Sequence, residues 1–294
     1  MSLFKKIAII GTGFMGNSLA SAMRMKGIVD EIYGVESNHK FLQQAFQTGS
    51  YAQCVTSLDE LFESHRNSNS NSKAANSFEM MFVCTPVDTV PAIVADCVQK
   101  FPDAIVSDIG STKSEIVSKT DRLLADCDHR FVAGHPIAGG DTTGPITPPN
   151  SIFTDKLFVS TPSESTDLTA VEQIERLWQA LDCRTIRLEP EEHDRLLGLT
   201  SHMPHVVSAV LSANLQKNEV EYCGTGWRDT TRIAKSNPLL WKEILVHNRD
   251  SVRQAMDRFL ATFEQIKNAI EAEDWDSVVK LLEKGKQNRD ALGN

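Results

Sequence analysis

The chain has 294 residues, 41% of them hydrophobic and 7% aromatic, with 30 Lys and Arg against 39 Asp and Glu for a formal net charge of -9. That length and near-average composition describe a globular protein of about two domains that buries at least one sizeable core, which excludes fibrous and disordered classes. The acidic balance offers no footprint for a phosphate backbone or an anionic bilayer, so neither nucleic acid nor membrane is expected as a partner.

The opening residues MSLFKKIAIIG hold four apolar residues before the glycines, too few for the apolar core of a secretion signal. No later stretch is expected to reach the roughly 18 apolar residues of a spanning helix. The six cysteines, Cys54, Cys84, Cys97, Cys127, Cys183 and Cys223, form no CxxC pair. They read as reduced thiols of a cytoplasmic protein, with no metal site expected.

Ile7 to Ile10 reads as a first strand and runs directly into Gly11-Thr12-Gly13-Phe14-Met15-Gly16, a G-x-G-x-x-G motif, after which Leu19, Ala20 and Met23 mark a helix closed by Gly27. In this strand-turn-helix setting Gly11 permits the tight turn, Gly13 the close approach of a pyrophosphate, and Gly16 close helix packing. The helix N-terminus supplies amide donors and a positive dipole end. A second strand, Ile32 to Val35, ends in Glu36, which can accept hydrogen bonds from a ribose 2′-hydroxyl and would repel a 2′-phosphate. The cofactor expected is therefore NAD rather than NADP.

The polar, low-complexity segment Ser64 to Ser77 precedes a strand from Met80 to Cys84, which places it away from the ligand-binding end of the sheet. That strand finishes in Cys84-Thr85-Pro86, whose backbone is expected to line the dinucleotide crevice. A helix carrying Val90, Ile93, Val94, Cys97 and Val98 follows, then strands at Ala104 to Asp108, Phe131 to Ala133 and Leu157 to Ser160. Continuous apolar strands alternating with helices predict a doubly wound parallel sheet. Two strand ends are unusually polar: Asp108-Ile109-Gly110-Ser111-Thr112-Lys113 and Gly134-His135-Pro136-Ile137-Ala138-Gly139-Gly140-Asp141. His135, beside Pro136 on what reads as a stiff turn, is a candidate for acid-base chemistry.

Beyond about Arg187 only helical patterns remain. Division into a cofactor domain (1–187) and an all-helical domain (188–294) is expected. Within the latter, Val206 to Leu215 carries no charge on any face and is expected to be buried all round, in a core or across a dimer interface.

The ordered set GTGFMG, VCTP, DIGSTK, GHPIAGG, EEHD, SHMPH and TRIAKSNPLLW resembles the prephenate and arogenate dehydrogenases of tyrosine biosynthesis over nearly the whole chain. The resemblance implies a Rossmann-like domain followed by an all-α dimerisation domain, a homodimer, and NAD-linked oxidative decarboxylation of prephenate or arogenate. It further implies His135 as the catalytic histidine and Ser111 as its partner beside the nicotinamide; the alternative for Ser111 is a helix N-cap. Arg232 matches the arginine for a substrate carboxylate, with Arg228 as competitor, and His205 and Trp241 match residues lining the substrate. His193 is placed nearby with an undefined role. Where many relatives carry Thr-Glu after HPIAG, this chain has Gly140-Asp141, so Asp141 keeps the charge on a shorter arm near the substrate side chain.

Overall fold

The computed structural model describes residues 2–67, 78–139, 144–146 and 151–293. Its nine strands are β1 (Phe4–Ile10), β2 (Val29–Val35), β3 (Gln53–Val55), β4 (Met80–Val83), β5 (Ile105–Asp108), β6 (Phe131–Val132), β7 (Gly134–Pro136), β8 (Leu157–Ser160) and β9 (Arg184–Arg187). The cofactor part also carries α1 (Phe14–Lys26), α2 (His39–Gln47), α3 (Leu58–Asn67), α4 (Val90–Lys100), α5 (Ser114–Leu123) and α6 (Leu168–Ala180). Then come α7 (Pro190–Leu197), α8 (Met203–Ala213), α9 (Thr225–Thr230), α10 (Pro238–His247), α11 (Arg249–Glu271) and α12 (Trp275–Asp290).

Six strands form one parallel sheet in the order β3-β2-β1-β4-β5-β6. This is the doubly wound order of dinucleotide-binding folds, with the reversal between β1 and β4. Helices cover both faces, so β1, β4 and β5 are buried throughout their apolar runs. Local chemistry sets the helix ends: Gly27 closes α1 at φ +62°, and the Asn38 side chain accepts the N–H groups of Lys40 and Phe41 at the start of α2.

β8 does not join this sheet. It pairs antiparallel with β7 and parallel with β9 in a separate three-stranded sheet. Trp178 of α6 binds the two sheets together, stacking on Phe158 with ring centroids 4.6 Å apart and meeting Phe82 of β4 edge-on at 6.3 Å. Removing a fully buried ring of this kind costs about 3–5 kcal/mol.

The helical part differs from expectation in two respects. Residues Pro190–Ala213 run as a single 24-residue helical stretch, continuous through a π turn at Gly198–His202, with a mean hydropathy of 1.2 over its most apolar window. By length and composition the stretch meets the requirement for a spanning helix that none was expected to reach. Its first two turns carry charged residues packed against α5, as described below. Within one chain α8 is also not buried all round: Ser208 is its one buried residue, and Val210 is 56% exposed. A helix without charges and with an open apolar face calls for a covering partner rather than a place in a monomer core.

Candidate active site

At the end of β1, Gly11 has φ +90°, and a Cβ there would lie 2.8 Å from the Cys84 carbonyl oxygen. A Cβ on Gly16 would fall 2.1 Å from the Gly11 carbonyl oxygen. Both positions demand glycine, one for its backbone conformation and one for the close seating of α1. Gly13 has a different reason: a Cβ there meets nothing within 4 Å, and Gly13 is the N-cap of α1 with no side-chain cap. The first turn of α1 thus has no side-chain cap, and the space beside Gly13 is open. That cradle fits a dinucleotide pyrophosphate.

Glu36 stands at the adjoining end of β2. One carboxylate oxygen accepts the Thr12 N–H at 3.0 Å and the Thr12 hydroxyl at 3.3 Å, while the other accepts the Asn38 N–H at 2.9 Å. The Cys84 N–H donates to the Ile10 carbonyl at 2.7 Å, which places Cys84-Thr85-Pro86 on the opposite side of the same loop. All these residues thus collect at the carboxyl end of β1, β2 and β4.

His135 adjoins this end from the second sheet. It is 8% exposed and pairs with Val159 across the β7–β8 ladder, so it stands on a strand and not on the stiff turn expected. Gly134 permits this, because a Cβ there would lie 2.4 Å from the Phe158 ring. Both backbone polar groups of Gly134 on its free side are held by side chains. Its N–H donates to Asp108 Oδ1 at 3.2 Å and its carbonyl accepts from Lys113 Nζ at 2.8 Å. Lys113 and Asp108 form an ion pair with both side chains fully buried. Asp108 also accepts the Gly110 N–H at 2.8 Å, so the clamp fixes the loop carrying half-buried Ser111 as well.

A chain of polar contacts leads away from His135. Its Nδ1 lies 2.9 Å from His193 Nε2, and His193 Nδ1 lies 2.8 Å from Asp194 Oδ1. Asp194 then accepts the backbone N–H of Lys113 at 2.8 Å and that of Ser114 at 2.9 Å. It thereby caps α5 from a distance, the role considered above for Ser111. Burial, His193 and buried Lys113 hold the His135 pKa well below the ordinary histidine range. His193 is also lowered by burial, with Asp194 opposing. For Asp194 burial favours the neutral acid, but His193 and the Ser114 N–H outweigh it and keep the pKa below the usual carboxylate value.

Asn248, buried between α10 and α11, donates to the Asp194 carbonyl at 2.7 Å and lies 3.0 Å from His202 Nδ1. His202 meets Trp241 edge-on at 6.0 Å, and Trp241 stacks on His205 at 3.5 Å between centroids. His135, His193, His202, His205 and Trp241 therefore belong to one connected cluster. Arg232 opens a 3₁₀ turn at Arg232–Lys235, and Arg228 lies on α9; both are exposed, and neither forms an ion pair among the described residues. Asp141 lies outside the described residues. Asp194 was visible only as the end of the EEHD motif, and no sequence signal points to Asn248.

Residues 19–187 match the family described as prephenate dehydrogenase, nucleotide-binding domain, and residues 189–284 match prephenate dehydrogenase, dimerization domain. A prephenate dehydrogenase of Bacillus subtilis is 28% identical over 97% of this chain and 76% of its own length. A cyclohexadienyl dehydrogenase of Zymomonas mobilis is 28% identical over 99% of this chain and 97% of its own. Among solved structures, prephenate dehydrogenase from Aquifex aeolicus in complex with hydroxyphenyl propionate and NAD+ is 29% identical with a TM-score of 0.85, covering 98% of each chain.

Proposed function

The chain belongs to the prephenate dehydrogenase family, and from that premise we propose that it is an NAD-dependent prephenate dehydrogenase working as a homodimer. The reaction is oxidative decarboxylation of prephenate to 4-hydroxyphenylpyruvate. NAD, when bound, supplies the hydride acceptor; the rest falls to the protein. The α1 N-terminus and Glu36 hold the dinucleotide by its pyrophosphate and adenosine ribose. His135 accepts the hydrogen bond of the ring hydroxyl and draws its proton as the carbon beneath it is oxidised, and loss of carbon dioxide then yields the phenol. Aromatisation drives the step, so binding and alignment are the main demands on the site.

The observation that carries this reading is the engagement of His135 Nδ1 by His193 at 2.9 Å, beside the clamped Ser111 loop. One ring nitrogen is taken, the other is left for substrate, and the lowered pKa keeps the ring neutral at physiological pH. Ser111 is assigned to the space between nicotinamide and hydroxyl, Arg232 to a substrate carboxylate, His205 and Trp241 to the substrate wall, and Asp141 to the substrate side chain. The open apolar face of α8 supports dimerisation through the 188–294 part.

NADH formation followed by absorbance with prephenate and with arogenate, each with NAD and with NADP, tests the assignment. Prephenate with NAD is expected to give the highest kcat/KM. Equal use of arogenate would assign the broader cyclohexadienyl specificity that the Zymomonas relative's description carries. No turnover with either substrate would overturn the enzyme reading.

A further inference from the structure

We propose that His193 and Asp194 are positioning residues that hold His135 in the tautomer with its proton on Nδ1 and its Nε2 bare toward the substrate. The inference rests on His135 being the base of the proposed reaction, but its geometry stands by itself. Asp194 accepts two backbone N–H groups from the first turn of α5, at 2.8 and 2.9 Å. A carboxylate so placed at a helix N-terminus is ionised and has no proton to donate. Its 2.8 Å contact to His193 Nδ1 therefore requires His193 to be the donor there. A neutral His193 with its proton on Nδ1 carries a lone pair on Nε2. The 2.9 Å contact between His193 Nε2 and His135 Nδ1 then requires His135 to donate from Nδ1. Nε2 of His135 is left as an acceptor, the form that a base needs.

The same line gives the incoming proton somewhere to rest. When the substrate O–H bond breaks and a bond forms from that hydrogen to His135 Nε2, the Nδ1 proton can pass to His193 Nε2. The positive charge then sits 2.8 Å from the Asp194 carboxylate; buried Lys113 opposes it on both rings, but at His193 the attraction of Asp194 is the larger effect. No atom or electron pair is left over, and reversal of the two transfers returns the proton to the phenol oxygen. His193 and Asp194 lie on α7 while their anchor lies on α5. The base is thus set only when the helical part is seated against the cofactor part.

Asp194→Ala tests the relay. The Lys113 N–H and His193 Nδ1 share Asp194 Oδ1, so an Asn that kept its oxygen there would preserve the tautomer, whereas Ala takes the acceptor from His193 altogether. His193 then takes the Nε2–H form that free histidine favours, donates from Nε2 to His135 Nδ1 and puts a proton on His135 Nε2. Long-range 1H–15N correlation of the 15N-His-labelled full-length protein, assigned with His135→Gln and His193→Gln, reads the tautomers without any substrate. Wild type is expected to show the Nδ1–H form at His135, the minority form in free histidine, and Asp194→Ala the Nε2–H form. The tautomer change should accompany a loss of about 10²-fold or more in kcat with little change in KM, as wrong-tautomer variants of other His–Asp pairs behave. Asp194→Glu should recover part of the rate. An Nε2–H signal at His135 in the wild type overturns the proposal even if the variant fails to fold, and so does an unchanged tautomer in Asp194→Ala. Absence of turnover with prephenate and arogenate would instead reject the proposed reaction and leave the tautomer measurement to decide the relay.

Discussion

Replacing Lys113 with Met asks how much of the fold depends on the buried clamp behind His135. Lys113 and Asp108 are both fully buried, and the ammonium serves Asp108 and the Gly134 carbonyl at once. Met refills the aliphatic volume, so the change is chiefly the loss of charge and donors. Asp108 would keep only the N–H groups of Gly110 at 2.8 Å and Gly134 at 3.2 Å, and the Gly134 carbonyl would lose its side-chain donor. Breaking one side of a buried ion pair costs about 3–5 kcal/mol. For a domain of this size each kcal/mol moves the midpoint by about 2–4 °C, so Tm should fall by roughly 10 °C. Thermal unfolding followed by tryptophan fluorescence at neutral pH measures it. The double variant Asp108→Asn/Lys113→Met removes the stranded charge and should regain about 1–3 kcal/mol over the single change. A drop below about 2 °C for Lys113→Met, or a double variant less stable than the single, would refute the clamp.

Acid should destabilise the fold in a defined window. Burial takes the His202 pKa from 6.5 to about 4, and His135 and His193 are lowered as well. A histidine whose folded pKa lies below its unfolded value takes up a proton on unfolding between the two, so stability falls as pH drops from about 6.5 toward 4. Each such group contributes up to about 1.4 kcal/mol per pH unit. Asp194, lowered in the folded state, adds loss in the same direction at still lower pH. Urea unfolding at pH 7.5, 6 and 5 should show this slope; equal stability at pH 7.5 and 5 would contradict the buried neutral cluster. At the cofactor end, Glu36→Ala removes the expected ribose acceptor and the charge that repels a 2′-phosphate. The ratio of kcat/KM for NAD over NADP should fall about tenfold or more. An unchanged ratio would leave Glu36 only its contacts to Thr12 and Asn38.

What the sequence revealed and what it concealed divide by the range of the interactions. The apolar runs at Ile7 to Ile10 and Met80 to Cys84 announce buried parallel strands, because both faces of such strands need apolar cover. The short strands β3, β7 and β9 give no such signal: Gln53–Val55 is three residues long, Gly134–Pro136 joins three weak strand formers, and Arg184–Arg187 lies mostly exposed. The turn at Gly11 and the close packing at Gly16 follow from local geometry and were legible. The cap on α5 was not. It joins Asp194 to amides about 80 positions earlier, and a single sequence carries no sign of such a pairing. His193 was visible as a residue and invisible as a link, since only the approach of α7 to β7 gives it a partner.

Lys113 shows how placement changes the electrostatic argument for the whole molecule. A chain of net charge -9 that takes up an anionic dinucleotide and, as proposed, a dianionic acid needs local positive potential, and the DIGSTK loop carries a lysine, Lys113. In the fold that ammonium is sealed beneath His135 and neutralised by Asp108. Its charge acts inward, helping to hold His135 neutral, and the side chain is closed to solvent. Two other places of different kinds can supply the attraction. The uncapped N-terminus of α1 offers fixed dipoles and amides at the cofactor end, and the exposed guanidinium groups of Arg228 and Arg232, in no ion pair among the described residues, offer charge from the helical part. Fixed dipoles suit a pyrophosphate that must be held in one register against the nicotinamide. Exposed guanidinium groups, with their planar fork of donors, suit the substrate carboxylate of the proposed reaction, which arrives from solvent.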